Sequence, residues 1–386
     1  MNNNTKKTIM IATGGTGGHI FPALSIMNEI KVHDFVIITD QRGKNFFNVF
    51  LNQQNNSHKI FIHKASSPSV HSFLNKIKSI YQFIISFFKS IILILKTKPK
   101  IIIGFGGYFS VAPILAAKLF KIPIIIHEQN AIVGRANKFL SNLVNVIALS
   151  FVETKNIKKN PTYIFTGNPT RKEFNNNDKS LYKIPRKNQK FNILVVGGSL
   201  GSKFFSHEVT KVFCSLPKRL KDKLKIVQQV RSEDKNFVEA MYNKNKINYE
   251  LKSFFENIPE KFFQSHLIIT RSGGSSVAEI LTSCRPVIFI PLPSALDNHQ
   301  EANAKFLEAT GGAWTLKEDE FVSKKLKELL ENLLTSPIQL IYASKKIKSC
   351  SNSLESLRKN QSPAQFLSNI ALSLINSDIT KPFKLC

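Results

Sequence analysis

Ile9-Met10-Ile11-Ala12-Thr13-Gly14-Gly15-Thr16-Gly17-Gly18 is an apolar run that empties into glycines, and Ile193-Leu194-Val195-Val196-Gly197-Gly198-Ser199-Leu200-Gly201-Ser202 repeats the pattern in the second half of the chain. Each reads as a short buried strand, a glycine-rich turn and a helix start. Around the first lie strand runs at Thr8–Ala12, Phe35–Thr39, Ile101–Gly104 and Ile122–Ile126, with a helical run at Pro22–Lys31. Around the second lie Asn192–Val196, Lys225–Gln229, Leu267–Thr270 and Val287–Ile290. Unbroken isoleucine runs suit a parallel sheet covered on both faces. Strands separated by helical stretches make a doubly wound α/β architecture. The repeat argues for two similar Rossmann-like domains rather than one large sheet. The expected division is 1–168 and 169–362, with the polar, Asn- and Lys-rich stretch Pro169–Asn192 as the linker candidate. A late helix, Pro363–Asn376 within 363–386, is expected to pack back onto the first domain.

Composition agrees with this and narrows the function. At about 150 residues per domain, 386 residues make two or three domains. With 42% apolar residues, 31 of all residues being Phe, the chain can bury a sizeable core. Lys plus Arg is 54 and Asp plus Glu 26, so the net charge is 54 − 26 = +28. That excludes an acidic disordered chain. It leaves nucleic acid, an anionic membrane, a phosphate-bearing substrate, or a drift in composition that inflates Lys, Asn, Ile and Phe together. No short Lys/Arg run stands out as a nucleic-acid arm, so nucleic acid is not expected as a partner. Cys214, Cys284, Cys350 and Cys386 form no CxxC pair, so neither a disulfide scaffold nor a zinc site is expected, and a reducing cytosol fits. The start, MNNNTKKTIM, carries no apolar run of signal-peptide type.

Four glycine loops end strands: Gly14–Gly18, Gly104–Gly107, Gly197–Gly201 and Ser272-Gly273-Gly274-Ser275-Ser276, the last before a helical run Val277–Thr282. Glycine lets the backbone approach a ligand, and a following helix N-terminus offers N–H groups to a phosphate. One such loop only marks a tight turn. Four at strand C-termini, where α/β folds bind ligands, point to phosphate-bearing substrates. The dinucleotide fingerprint fails at its sixth position, since from Gly15 the chain reads Gly-Thr-Gly-Gly-His-Ile, although Asp40 after the second strand keeps that reading open. No loop ends in Gly-Lys-Ser/Thr, which disfavours a Walker-type ATPase.

An ordered set of motifs then resembles one family. Gly14-Gly15-Thr16-Gly17-Gly18-His19-Ile20-Phe21-Pro22-Ala23 is followed by Gly104-Phe105-Gly106-Gly107-Tyr108, His127-Glu128-Gln129-Asn130 and Gly167-Asn168-Pro169-Thr170-Arg171. The second half adds Gly197 to Gly201, Arg271-Ser272-Gly273 through Glu279, and Asp297-Asn298-His299-Gln300. The set resembles the MurG family, N-acetylglucosaminyltransferases that convert lipid I to lipid II in peptidoglycan synthesis. It spans Ile9 to Gly312, while residues 41–100 and the tail carry no motif.

The resemblance implies a GT-B fold, two Rossmann-like domains facing across a cleft. It implies UDP-GlcNAc on the C-terminal domain and an undecaprenyl-diphosphate-linked muramyl-peptide acceptor on the N-terminal domain. The 4-hydroxyl of the muramyl sugar would attack the anomeric carbon with inversion, and UDP would leave. No DxD-type motif is present, so no metal and no cofactor are expected. A UDP-GlcNAc 2-epimerase is the rival of the same architecture, and a non-enzymatic basic binder of nucleic acid a more distant one.

Carried over residue by residue, the resemblance gives Glu279 to the ribose hydroxyls and Ser199 to the donor diphosphate. A carboxylate suits the first by accepting two hydrogen bonds. The loop and helix start Gly274, Ser275, Ser276, Val277 and Ala278 join the donor set, as do Gly17, Gly18 and Arg171. Thr16, Asn130 and Gln300 match positions touching the donor sugar, and Asn and Gln carry both donors and acceptors for hydroxyls. Phe255 falls where the family has an apolar residue beside the uracil, with a backbone contact. Gly14, Gly15, Gly106, Gly107 and Tyr108 match the acceptor diphosphate loops. His19, next to the first glycine loop, is the candidate general base, since a helix N-terminus disfavours imidazolium. It could instead orient the acceptor diphosphate. Glu128 and Asp297 are the other candidate bases, and His127, in an apolar run, reads as a packed core histidine.

Phe73–Leu95 reads FLNKIKSIYQFIISFFKSIILIL. Its unbroken apolar runs fall short of the roughly 20 residues of a spanning helix. Aromatic residues interleaved with Lys76, Lys78 and Lys89 suit an interfacial helix or hairpin. A buried core helix is the alternative. Together with the lipid-linked acceptor, this implies a peripheral protein on the cytoplasmic side of the bacterial inner membrane.

Overall fold

A computed structural model describes residues 6–51, 58–63, 73–158, 162–176, 182–186, 188–198 and 201–376. The chain forms two compact units. The first is Met1–Arg171 with Leu357–Cys386, and the second is Lys172–Ser356. Within the polar stretch Pro169–Asn192, residues 177–181 and 187 lie outside the described residues, as do 377–386 at the end.

The first unit is built on seven strands: β1 (Thr8–Ala12), β2 (Asp34–Thr39), β3 (Lys59–Ile62), β4 (Ile101–Gly104), β5 (Ile124–Glu128), β6 (Val146–Leu149) and β7 (Tyr163–Phe165). Every pairing is parallel, in the order β3-β2-β1-β4-β5-β6-β7. The strands form here because their β-branched side chains are buried above and below. Ile9, Ile11, Ile101, Ile103 and Ile125 pack on one face with Ile20, Ala23, Leu24 and Met27 of the helix Gly17–Glu29. Met10, Ala12, Ile102, Ile124 and Ile126 pack on the other with Val111, Ile114 and Ala117 of the helix Val111–Leu119. Ala364, Leu367, Ile370, Ala371 and Leu374 of the helix Pro363–Asn376 share the first of these cores, so the end of the chain closes over its beginning.

The second unit repeats the plan with β8 (Phe191–Val196), β9 (Leu224–Gln229), β10 (Asn248–Lys252), β11 (Leu267–Thr270), β12 (Val287–Phe289) and β13 (Ala313–Thr315). These are again all parallel, in the order β10-β9-β8-β11-β12-β13. In each unit the chain starts mid-sheet, builds outward one way, then returns to build the other way. The reversal falls between β1 and β4 and between β8 and β11, the places where such sheets open a crevice for ligands.

Three histidines are held uncharged by this packing. Burial lowers His63, His127 and His266 from 6.5 to about 4. Each takes up a proton on unfolding at a pH between those values. Stability is therefore full above about pH 6.5 and falls as the pH drops toward 4. Urea midpoints measured across that interval are expected to decrease toward acid, and a flat profile would mean that these imidazoles are solvated.

Candidate functional site

In the first unit, three loops converge at the reversal between β1 and β4. The loop after β1 runs straight into the helix Gly17–Glu29, whose first turn holds no acidic residue to cancel its N-terminal field. Thr16 stands at the N-cap, but its hydroxyl goes to the imidazole three residues on, with Oγ1 3.0 Å from His19 Nδ1. The glycines fit around that ring. A Cβ on Gly14 would lie 3.1 Å from His19 Nδ1, and one on Gly106 3.4 Å from His19 Nε2. Gly106 and Gly107 also take positive φ, +84° and +76°, which lets the loop after β4 fold over the ring. Tyr108 opens the short helical turn Tyr108–Ser110, where Ser110 Oγ donates to Gly107 O at 2.8 Å. His19 is thus framed by Gly14, Gly106 and Gly107, and the sequence-assigned acceptor loops lie beside it.

Asp40 is accounted for within the fold. Its Oδ1 accepts from Gly43 N at 2.8 Å, its Oδ2 pairs with Arg42, and a Cβ on Gly15 would lie 1.8 Å from Oδ1. Gly15 is glycine because this carboxylate presses on it. The ribose-binding role of the dinucleotide reading finds the carboxylate committed to its own helix start and its loop.

The loop after β5 supplies a buried polar knot. His127 is fully buried, with Nε2 3.1 Å from Gly167 O. Glu128 is 2% exposed, and its oxygens receive Asn130 N, Asn130 Nδ2, Gly134 N and Asn137 Nδ2. Burial pushes its carboxyl above the usual range against those four donors. Gln129 donates Nε2 to Phe105 O at 2.8 Å, and its Oε1 is 3.4 Å from the Cβ position of Gly106. In sequence Gln129 is only one residue of the His127–Asn130 motif; here it ties the loops after β4 and β5 together. Arg171 ends the first unit with its guanidinium 3.7 Å above the ring centre of Phe21, while Thr170 O accepts from Ser25 Oγ at 2.6 Å. The end of the Gly167–Arg171 motif therefore lies against the helix Gly17–Glu29, which carries His19.

In the second unit, the loop after β8 is Gly197–Gly201, of which Ser199 and Leu200 lie outside the described residues. Gly198 has φ +98° and open space where a Cβ would stand, and a Cβ on Gly273 would also meet nothing within 4 Å. Gly273 is the N-cap of the helix Gly274–Ser283, again with no acid in its first turn. Ser275, Ser276, Val277 and Ala278 complete the start of that helix, and Glu279 follows half-buried. Helical side chains lean back toward the N-terminus. Glu279 therefore stands one turn past Ser275 and Ser276, on the same side of the helix.

Gln300 comes to the same edge. It lies in the first turn of the helix His299–Glu308; its Oε1 accepts from Leu292 N at 3.0 Å and its carbonyl accepts from Ser272 Oγ at 2.8 Å. Asn303 Nδ2 donates to Ser272 O at 3.0 Å. Asp297 and Asn298, just before this helix, both take left-handed backbone conformations, with φ +54° and +53°. Asp297 is exposed. Phe255 is only 3% exposed, so its ring is packed and offers no open face to a base. Arg271, which sequence reading left without a role, binds Ile290 O at 3.0 Å, Ser202 Oγ at 3.1 Å and Glu318. It stitches the loop after β11 to the loop after β8. A lone arginine in an apolar context is the sequence signal for such a buried tie, but its partners are set only by the fold.

Residues 9–149 match the glycosyltransferase family 28 N-terminal domain and residues 192–360 the family's C-terminal domain. The chain belongs to glycosyltransferase family 28. A relative from Wolbachia pipientis subsp. Culex pipiens (strain wPip) is 35% identical over 95% of this chain and 99% of its own length. It is named UDP-N-acetylglucosamine–N-acetylmuramyl-(pentapeptide) pyrophosphoryl-undecaprenol N-acetylglucosamine transferase. The crystal structure of Acinetobacter baumannii MurG superposes with TM-score 0.71 at 25% identity, covering 92% of this chain and all of that one. A UDP-GlcNAc 2-epimerase from Neisseria meningitidis superposes at TM-score 0.59 and 14% identity, over 95% of this chain and 99% of its own, which shows a shared fold alone. The two family 28 units are thus the paired Rossmann-like domains of a GT-B glycosyltransferase.

Proposed function

We propose that this family 28 enzyme moves GlcNAc from UDP-GlcNAc to the 4-hydroxyl of the muramyl sugar on undecaprenyl-diphosphate-linked MurNAc-pentapeptide, with inversion at the anomeric carbon. The observation that carries the reading is the doubling of the phosphate cradle. Each unit presents glycine loops at its own sheet reversal, ahead of a helix whose first turn holds no acid. Both substrates of this reaction are diphosphates. The second unit takes UDP, with Gly274 and Ser275 at the diphosphate and Glu279 on the ribose. Phe255 contributes through its backbone, since its ring is packed. The first unit takes the acceptor diphosphate on the Gly14–Gly15 and Gly106–Tyr108 loops. Thr16, Asn130 and Gln300 serve the transferred sugar. As negative charge grows on the leaving diphosphate, helix N–H groups already aimed at it lower the barrier without reorganising. Transfer of labelled GlcNAc from UDP-GlcNAc to a lipid I analogue tests the reading.

The helix Phe73–Thr97 supports a seat on the membrane. Among the described residues it contains one stretch long and apolar enough to cross a bilayer, Ile77–Thr97. Its large apolar side chains Ile77, Ile80, Tyr81, Ile84, Phe88, Ile92 and Leu95 are exposed, three or four residues apart along one face. Its inner face is made of Ser79, Ser86, Ser90, Leu93 and Ile94, all buried, and the helix packs along Val111–Leu119. A helix fastened to its own domain along one side cannot also span the lipid. We read the outer stripe as lying on the cytoplasmic membrane, with exposed Lys78, Lys89 and Lys96 at the headgroups.

Phe87 packs against the core, so the test uses Ile84 and Phe88, which face out. Ile84→Ser with Phe88→Ser is expected to shift the protein from the membrane to the soluble fraction without changing its melting curve. Wild-type protein that resists alkaline carbonate extraction would contradict a peripheral seat.

A further inference from the structure

Glu128 closes β5, and its carboxylate is surrounded by the turn that follows. Oε1 accepts from Asn130 N at 3.1 Å and Asn130 Nδ2 at 3.3 Å. Oε2 accepts from Gly134 N at 2.9 Å and Asn137 Nδ2 at 2.8 Å. Asn137, on the helix Arg135–Leu140, is 3% exposed and also reaches His127 O at 3.2 Å. A carboxylate has about four lone-pair positions, and four donors occupy them here. Nothing is left to take a proton from a substrate hydroxyl. What the carboxylate does instead is hold both the backbone and the side-chain amide of Asn130.

We infer that Glu128 is a positioning residue which, braced by Asn137, fixes Asn130 for the transferred sugar, and that it is not the general base. This rests on the reading of the chain as a UDP-GlcNAc-dependent transferase. A Gln at position 128 keeps the shape but turns one oxygen into an NH₂ group, which then faces N–H donors it cannot bind. Asn137→Ala loosens the same turn from the other side and leaves the carboxylate in place.

The test is steady-state kinetics of the full chain with UDP-GlcNAc and a lipid I analogue, for Glu128→Gln, Asn137→Ala and the double variant, with inhibition by UDP measured beside them. Each single variant is expected to raise the KM for UDP-GlcNAc about tenfold, the scale of one lost charge-assisted hydrogen bond. The double variant is expected to be no worse than Glu128→Gln, because both act on one network. Inhibition by UDP, which lacks the sugar, and the acid limb of kcat against pH are expected to stay at wild-type values. A kcat loss in Glu128→Gln at unchanged KM, with the acid limb gone and Asn137→Ala silent, would make Glu128 the base and overturn the inference. Equal weakening of UDP and UDP-GlcNAc, or a lowered melting temperature with unchanged kinetics, would overturn it as well. Asn137→Ala carries the test if Glu128→Gln does not fold. Failure of the wild type to transfer GlcNAc bears on the function reading alone.

Discussion

His19→Ala is expected to lower turnover by roughly 10²–10⁴-fold, the range of positioned acid–base catalysis, while the KM for UDP-GlcNAc stays near its wild-type value. Two features of the ring support this. It stands in the first turn of the helix Gly17–Glu29, directly after the glycine loop. Its Nδ1 lies 3.0 Å from Thr16 Oγ1. Its Nε2 lies 3.4 Å from where a Cβ on Gly106 would stand, beside the loop assigned to the acceptor. His19→Gln is expected to be as inactive as Ala, since an amide takes no proton. Thr16→Val, which removes the hydroxyl beside Nδ1 that helps hold the ring, is expected to lose turnover in the same direction by less. A His19→Gln variant that keeps the acid limb and only raises the acceptor KM would reduce His19 to orienting the diphosphate. The base would then be Asp297, whose carboxylate is exposed, since that of Glu128 is buried under four donors.

Glu279→Ala is expected to weaken UDP binding by about 10- to 150-fold, the loss of a charged partner worth about 1.5–3 kcal/mol. Glu279 lies one turn into the helix Gly274–Ser283, after the serines that follow Gly274. Two ribose hydroxyls can each donate to one of its oxygens. Glu279→Gln keeps a single acceptor and is expected to fall between the two. The melting curve is expected to stay in place, because Glu279 is half-buried rather than part of the core. Calorimetry with UDP reads the effect directly. Wild-type affinity in Glu279→Ala with an intact fold would remove this residue from the nucleotide site.

The parts of the fold that sequence could show are those driven by local pattern. β1, β4 and β11 and the helix Pro363–Asn376 lie where continuous apolar runs and turn glycines put them. The first helix begins at Gly17, well before the expected Pro22, because its opening turn is made of the glycine loop itself, and glycine hides a helix in any propensity reading. β5 runs on to Glu128 past the isoleucines, since the buried His127 and Glu128 break the apolar pattern while remaining in the ladder. The short edge strands β3, β10 and β13 escaped notice: Asn248–Lys252 is half polar, as suits an edge with one solvated side. Phe73–Thr97 stays open between helix and hairpin because its two sides do not divide by polarity: Ser79, Ser86 and Ser90 share the inner side with Leu93 and Ile94, while large apolar residues also face out.

The candidate site divides the same way. Glycine loops and helix starts leave a local signature, so Gly14 to His19 and Gly273 to Glu279 were legible. The second layer was not. Gln129 on Phe105 O, Asn137 on Glu128 and Arg271 on Ser202 join residues from different strands and loops. Such pairs are fixed by the order of the sheet, which no stretch of sequence states by itself.

The central claim is that the two glycine-loop units together perform one sugar transfer between diphosphates. The most direct measurement is incubation of the full chain with radiolabelled UDP-GlcNAc, with and without a lipid I analogue. Label is expected in the lipid product, with release of UDP that depends on the acceptor. Formation of UDP-ManNAc without acceptor, or no acceptor-dependent label at all, would contradict it.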